Sequence, residues 1–131
     1  MSAKEVIFNF LSGHPEYRAN VGLYDPELEV LSQIKSRLED IQIKVFSADW
    51  CPDCRVQLPI FFSVILALDE DEIELEILEV TRDKMDEGGL ADDLDILAIP
   101  TFIIMRSHKE IGRIIERPKE SMEKDLAEIL G

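Results

Sequence analysis

The chain has 131 residues, of which 46% are hydrophobic and 32% charged, a composition typical of one soluble globular domain with a substantial apolar core. Its 28 acidic residues outnumber its 14 basic residues and give a formal net charge of -14, which argues against a nucleic-acid or anionic-membrane partner. The acidity is typical of a solvated, repulsive surface, and the alternatives are steering of basic partners or adaptation to high salt.

The first 18 residues contain no basic leader followed by an apolar stretch, so they do not fit a secretory signal. The longest apolar run, 58–68, is too short to cross a bilayer and contains a proline. From these two features we expect a cytoplasmic protein with no membrane partner. In a reducing compartment, two lone cysteines close together in sequence do not suit a static structural disulfide.

A helix is predicted near the N-terminus, over residues 3–12. Ser2 and Glu5 fit a capping box, in which the side chain of each binds the backbone N–H of the other, and Gly13 stands where a helix would end. The run 6–8 would also suit a strand, and that alternative stays open at this point.

A second helix is predicted over 26–38, after a loop at 13–24. Asp25 followed by Pro26 favours the opening of a helix, with a cap and then a first-turn proline. Apolar residues recur at three- and four-residue spacing and give this helix one apolar face. They are Leu28, Leu31, Ile34 and Leu38.

Beyond residue 40 the sequence alternates between predicted strands and predicted helices. The strands are 41–46, 73–80, 101–106 and 110–116, and the helices are 52–67, 90–97 and one that begins at Pro118 and turns Met122, Leu126, Ile129 and Leu130 inward. Alternation of this kind gives a right-handed parallel crossover, and the last two strands add an antiparallel hairpin around 107–109. The order predicts a three-layer α/β domain.

Cys51 and Cys54 are the only cysteines, and they stand at a predicted strand-to-helix junction. Residues three apart on a helix have Cβ atoms about 5–6 Å apart, close to the range of a disulfide. The N–H groups and positive dipole of a helix start favour a thiolate, and in such motifs a thiol pKa near 8.5 falls to about 3.5–7.5. We therefore interpret Cys51 as the nucleophile and Cys54, one turn deeper, as the resolving thiol.

Other interpretations of the two cysteines are possible. An inert buried pair is disfavoured because polar residues flank both. A zinc site needs four ligands, and the only histidines, His14 and His108, lie in predicted loops without ligand spacing to a cysteine, so no metal is predicted. A non-catalytic binding module and an iron–sulfur cluster carrier remain the alternatives to redox chemistry.

The segment ADWCPDCR, 48–55, resembles the active site of the thioredoxin superfamily, in which a tryptophan directly precedes the first cysteine. Pro59, eight residues after Cys51, resembles the proline that kinks the active-site helix of that family. Ile99-Pro100-Thr101 resembles its cis-proline segment, and Gly112 in the last strand also suits the pattern. The resemblance covers 41–131.

The resemblance implies one thioredoxin-like domain, 1–131, with a helical N-terminal part, 1–40, and a mixed sheet of four or five strands flanked by helices in the core, 41–131. It implies a monomeric thiol–disulfide oxidoreductase without a cofactor, whose redox-active disulfide is Cys51–Cys54. The substrates would be disulfide-containing proteins or small molecules, and a reductase or a low-molecular-weight thiol would be the reductant. The implied substrate groove contains Trp50, Pro52, Asp53, Ile99 and Pro100.

Two positions depart from the family pattern. Thioredoxins usually carry a buried aspartate six residues before the first cysteine, where this chain has Val45, and a nearby lysine is replaced by Ile77. The usual proton relay for Cys54 is therefore missing. Asp49, Asp53 or water are the candidates to replace it, and we expect resolution by Cys54 to be slower than attack by Cys51 near pH 7.

Overall fold

A computed structural model describes residues 1–81 and 88–131. The described residues form six helices and four strands. In chain order these are α1 (Ala3–Ser12), α2 (Pro15–Arg18), α3 (Leu28–Lys35), β1 (Ile41–Ser47), α4 (Pro52–Leu68), β2 (Glu74–Glu79), α5 (Leu90–Asp93), β3 (Thr101–Arg106), β4 (Lys109–Ile115) and α6 (Met122–Leu130). Within the described ranges, no helix has the length and apolar character needed to span a membrane.

The four strands form one mixed sheet in the order β2-β1-β3-β4. β1 runs parallel to β2 and antiparallel to β3, and β3 pairs with β4 as an antiparallel hairpin. This confirms the predicted mixed sheet flanked by helices, and the four strand boundaries agree with the sequence-based ranges to within one residue. β1 lies inside the sheet and six of its seven residues are buried, so the residues that follow it leave the middle of the sheet.

α4 is the longest described helix, and it positions the residues that follow β1. It has 17 residues and is apolar around most of its circumference, because it packs against α1, α2, α3 and α6 and against the sheet. Its Phe61 ring lies 4.8 Å from the ring of Phe102 on β3, measured between centroids. Burial on several sides fixes the direction in which the N-terminus of α4 points.

α1 begins with the capping box that the sequence predicts. The Glu5 N–H donates to Ser2 Oγ at 3.2 Å, and the Ser2 N–H donates to Glu5 Oε1 at 3.3 Å. The strand alternative for 6–8 is wrong, since these residues lie inside α1. A second short helix, α2, lies within 13–24, where the sequence predicts only a loop.

α3 begins at Leu28 rather than at Pro26, and it ends at Lys35 rather than at residue 38. The carboxylate of Glu123, which is 1% exposed, accepts hydrogen bonds from the Tyr24 hydroxyl and from the Glu27 N–H. These bonds hold the chain before α3 in an extended conformation, with Glu27 at ψ 119°. A distant carboxylate therefore overrides the local helix-opening signal.

α6 begins at Met122 rather than at Pro118, again because of a carboxylate. Asp125 accepts hydrogen bonds from the N–H groups of Lys119 and Glu120 at 2.7 and 3.2 Å, which holds these two residues outside the helix. Ser121 is the N-cap, and its Oγ accepts from the Lys124 N–H at 3.2 Å.

α5 is shorter than its predicted range of 90–97. It ends at Asp93, and Asp95 has a left-handed φ of 55° that stops the helix. The Ile96 N–H then donates to the Ala91 carbonyl at 2.8 Å, which closes the turn.

Gly112 on β4 gives α6 its close approach to the sheet. A Cβ atom at this position would lie 2.8 Å from Cγ2 and 2.9 Å from Cγ1 of Ile129, and both distances are shorter than van der Waals contact. Ile129, predicted to face inward, is half-buried against this glycine, while Met122, Leu126 and Leu130 are fully buried.

We predict that Gly112→Ala lowers the free energy of unfolding by about 1–3 kcal/mol, because Ile129 must move away from the new methyl group. Urea denaturation measures the change, and Gly112→Ala in an Ile129→Ala background should show a smaller one. Gly13→Ala is the control, since its φ of -95° suits alanine and its Cβ would lie 3.8 Å from the nearest atom. Equal stability of the two single variants would contradict the packing argument.

Candidate active site

Cys51 is the N-cap of α4, and Pro52 is the first residue of that helix. Proline suits this position because its missing N–H has no partner there in any helix. The Cys54 N–H donates to Cys51 Sγ at 3.1 Å, and the Cys51 N–H donates to the Ala48 carbonyl at 3.3 Å. The sulfur of Cys51 therefore occupies the place that a serine or aspartate oxygen takes in an ordinary helix cap.

The start of β3 lies against the same sulfur. The Cys51 thiol donates to the Ile99 carbonyl at a sulfur–oxygen distance of 3.6 Å, and the Ile99–Pro100 peptide bond is cis. The structure thus brings together Cys51, Cys54 and Ile99, with Pro100 adjacent. Both cysteines are free thiols, and they are 4% and 0% exposed respectively.

The remaining predicted groove residues flank Cys51 in the chain. Pro52 is exposed, while Trp50 and Asp53 are half-buried. Trp50 packs against the edge of the hydrophobic core. Their roles toward a substrate stay predictions.

The environment of Cys54 raises the pKa of its thiol well above the ordinary value. Burial is the largest cause, the hydrogen bond with Cys51 is the second, and the charges of Cys51 and Asp53 add to it against a lowering contribution from the backbone of Ala48. Cys54 is therefore a neutral thiol at neutral pH, and its reaction as a nucleophile requires that a base or hydroxide remove its proton.

The positions that depart from the family pattern are neighbours on the sheet. Val45 on β1 is 0% exposed and pairs with Ile77 on β2 and with Phe102 on β3. Two apolar side chains thus stand side by side at the positions named from the sequence. Neither can accept a proton.

Tyr17 on α2 was not identified from the sequence, because its segment was predicted as a loop. It is 1% exposed, and its hydroxyl has no hydrogen-bond partner within the described part of the chain. Burial, and then the charges of Cys54 and Asp49, raise the pKa of this phenol above its ordinary value. α2, which carries this phenol, packs against α4, the helix that carries Cys54.

His14 is a second residue that sequence reasoning did not place at the site. Its Nε2 lies 3.0 Å from Asp49 Oδ1 and 2.9 Å from Glu79 Oε1. These three atoms lie within 4.8 Å of one another, and hydrogen bonds from the His14 ring to the two carboxylates account for the arrangement. The spacing of Phe10, His14 and Tyr17 is the sequence signal that groups these three rings, which stack on one another, but it does not indicate the carboxylates that His14 contacts.

Known proteins resemble this chain in sequence. A family model described as Thioredoxin matches residues 16–128. Thioredoxin H-type from Brassica oleracea is 30% identical over 81 residues, which is 62% of this chain and 61% of that protein's length. The chain thus matches less than two thirds of this relative.

Solved structures resemble it in fold. A protein of unknown function from Pseudomonas aeruginosa superimposes with a TM-score of 0.66 over 99% of this chain and 95% of its own, at 20% identity, which establishes a shared fold alone. Mitochondrial thioredoxin 3 from Saccharomyces cerevisiae is 26% identical, with a TM-score of 0.48 over 66% of this chain and 74% of that one.

We predict that iodoacetamide alkylates Cys51 before Cys54 at neutral pH. The Cys51 sulfur accepts an N–H from the helix start, whereas the raised pKa of Cys54 keeps that thiol neutral. Mass spectrometry of the reduced protein, sampled over time, gives the order. Alkylation in denaturant is the control and should remove the difference, and faster modification of Cys54 in the folded protein would reverse the assigned roles.

Proposed function

This chain belongs to the thioredoxin family, and from that premise we propose that it catalyses thiol–disulfide exchange through Cys51 and Cys54. One observation carries the proposal: a pair of free thiols at the start of α4, in which the Cys54 N–H donates to the sulfur of Cys51. That hydrogen bond and the helix dipole direct positive charge density at this sulfur, the arrangement that suits a cysteine nucleophile.

In the first step the Cys51 thiolate attacks one sulfur of a substrate disulfide. A Cys51–substrate disulfide forms, the substrate S–S bond breaks, and the leaving thiolate takes a proton from solvent. Cys51 is 4% exposed and its sulfur contacts the Ile99 carbonyl, so we infer that the substrate sulfur approaches along a groove beside Ile99. Trp50, Pro52, Asp53 and Pro100 would form the remainder of that groove.

In the second step Cys54 loses its proton and attacks the sulfur of Cys51. The Cys51–Cys54 disulfide forms, the second substrate thiolate leaves, and the substrate has gained two electrons from the dithiol. The same steps in reverse would make a disulfide in a dithiol substrate. Because burial raises the pKa of Cys54, deprotonation of this thiol is the slow event.

A full catalytic cycle needs a reductant for the Cys51–Cys54 disulfide. We assign this role to a reductase or a low-molecular-weight thiol, and we assign the substrates to disulfide-containing proteins or small molecules. The protein would act as a monomer of one domain, 1–131, in the cytoplasm, without a cofactor. The reducing poise of that compartment would favour the dithiol form.

The cysteine variants test the proposal with a chromogenic aryl disulfide as the substrate. We expect reduced wild-type protein to release two aryl thiols, Cys54→Ser to release one and retain a stable mixed disulfide, and Cys51→Ser to react far more slowly. Mass spectrometry identifies the mixed disulfide. Equal reaction of Cys51→Ser and wild type would contradict the assigned nucleophile.

Release of the second aryl thiol should speed up as pH rises, since Cys54 must deprotonate and its pKa is raised. Asp53→Asn separates two roles of that carboxylate: release quickens if the Asp53 charge only raises the pKa of Cys54, and slows if Asp53 takes the proton.

Val45→Asp should quicken release if its carboxylate lies beneath Cys54, at a stability cost of about 1–3 kcal/mol. Equal, pH-independent release in all three proteins would contradict rate-limiting deprotonation of Cys54.

A further inference from the structure

The hydrogen bonds of His14 define its protonation state. Nδ1 lies 2.8 Å from the Phe10 carbonyl oxygen, which can only accept, so Nδ1 carries a proton. Nε2 lies within 3.0 Å of carboxylate oxygens of both Asp49 and Glu79, which also only accept when ionised. Both nitrogens therefore donate, and His14 is an imidazolium.

The surroundings of the ring agree with this assignment. The His14 side chain is 14% exposed, and its ring stacks on that of Phe10 with a centroid distance of 3.9 Å. Burial lowers the pKa of His14, but the Phe10 carbonyl and the charges of Glu79 and Asp49 outweigh it, so the net shift is upward from 6.5. The surroundings of the ring thus favour the charged imidazolium over the neutral imidazole.

The imidazolium binds the loop that leads into Cys51. Asp49 lies two residues before Cys51, and its carboxylate is held by His14. Its carbonyl is held by Arg55, whose Nε and Nη2 donate to it at 3.2 and 2.9 Å. This loop is therefore fixed at residue 49 through both the side chain and the backbone.

The other partner of His14 connects the loop to the sheet. Glu79 is the last residue of β2, and the next residue, Val80, donates its N–H to the Ser47 carbonyl at the end of β1. His14 thus joins three segments at one end of the sheet: the turn after α1, the loop before Cys51, and the end of β2. Two carboxylates that would otherwise repel each other share one cation.

We propose that His14 is a positioning residue for the dithiol site, which as an imidazolium clamps Asp49 to Glu79 and so fixes the loop that carries Trp50 and Cys51. This inference rests on the proposed function. The clamp would hold Cys51 in the geometry for attack and neutralise two carboxylates that would oppose negative charge on its sulfur.

The clamp should weaken as pH rises. Among the described residues, the charged or titratable groups around the imidazole are Asp49 and Glu79, the stacked phenol of Tyr17, and Arg55 beyond Asp49. A group whose pKa is raised in the folded state stabilises the fold below its ordinary pKa, and this contribution is lost as pH rises through the folded value. Neutral His14 would present a lone pair to two carboxylates and release Asp49.

The test compares reduced wild-type protein, His14→Gln, Asp49→Asn and the double variant with 4,4′-dithiodipyridine, between about pH 6 and about pH 9. We expect wild type to react about two- to fivefold faster than His14→Gln at the acidic end, the effect of an ion pair of this exposure, with the ratio falling toward one at higher pH. The NMR titration of His14 in wild type should have its midpoint in the same pH range. In the Asp49→Asn background, His14→Gln should have no further effect.

His108→Asn is the matched control, because His108 is the other histidine of the chain, lies exposed in the β3–β4 turn, and has a φ of 64° that asparagine tolerates. It should react like wild type at every pH. If His14→Gln does not fold, Asp49→Asn, whose side chain is 63% exposed in wild type, should show the pH-dependent loss by itself.

A constant rate ratio across pH, or additive effects in the double variant, would reduce His14 to a structural role and overturn the inference alone. Absence of exchange in wild type at every pH would overturn the proposed function and this inference with it.

Discussion

The hydrogen bond from the Cys54 N–H to Cys51 Sγ is the interaction on which the proposed chemistry depends. It exists because Cys51 is the N-cap of α4. The helix begins at Pro52, because the fixed φ and missing N–H of proline suit the first helical position. The apolar helix is enclosed by four other helices and the sheet, so its N-terminus cannot shift without exposing core residues. The same enclosure buries Cys54 and raises the pKa of its thiol.

The helices and strands whose bounds were predicted correctly are those that local sequence patterns determine. α4 and the four strands carry continuous or alternating apolar runs, and the Ser2–Glu5 capping box acts within one turn. The predicted starts of α3 and α6 were wrong, because buried carboxylates determine the residues at which these two helices begin. Glu123 binds the Glu27 N–H from 96 residues away, a contact that no local sequence signal indicates. Asp125, in the first turn of α6, binds the Lys119 N–H and so keeps that residue outside the helix.

The same distinction applies to the site. Cys51, Cys54 and Pro100 could be named from motifs, and the register that pairs Val45 with Ile77 agrees with their sequence-based alignment. His14 could not be placed, because its partner Asp49 lies 35 residues away and its segment was predicted as a loop. Tyr17 was missed for the same reason, although it is among the most buried side chains of the described residues.

The proposed function requires that Cys51 and Cys54 form a reversible two-electron couple. The most direct test equilibrates the protein in buffers of reduced and oxidised dithiothreitol of graded ratio, quenches it with acid, and measures its mass. We expect the wild-type protein to lose two hydrogens along a single transition with a two-electron slope, about 30 mV for each tenfold change in ratio, and Cys54→Ser to show no such transition. A protein that stays a dithiol at every ratio, or forms only disulfides between chains, would contradict it.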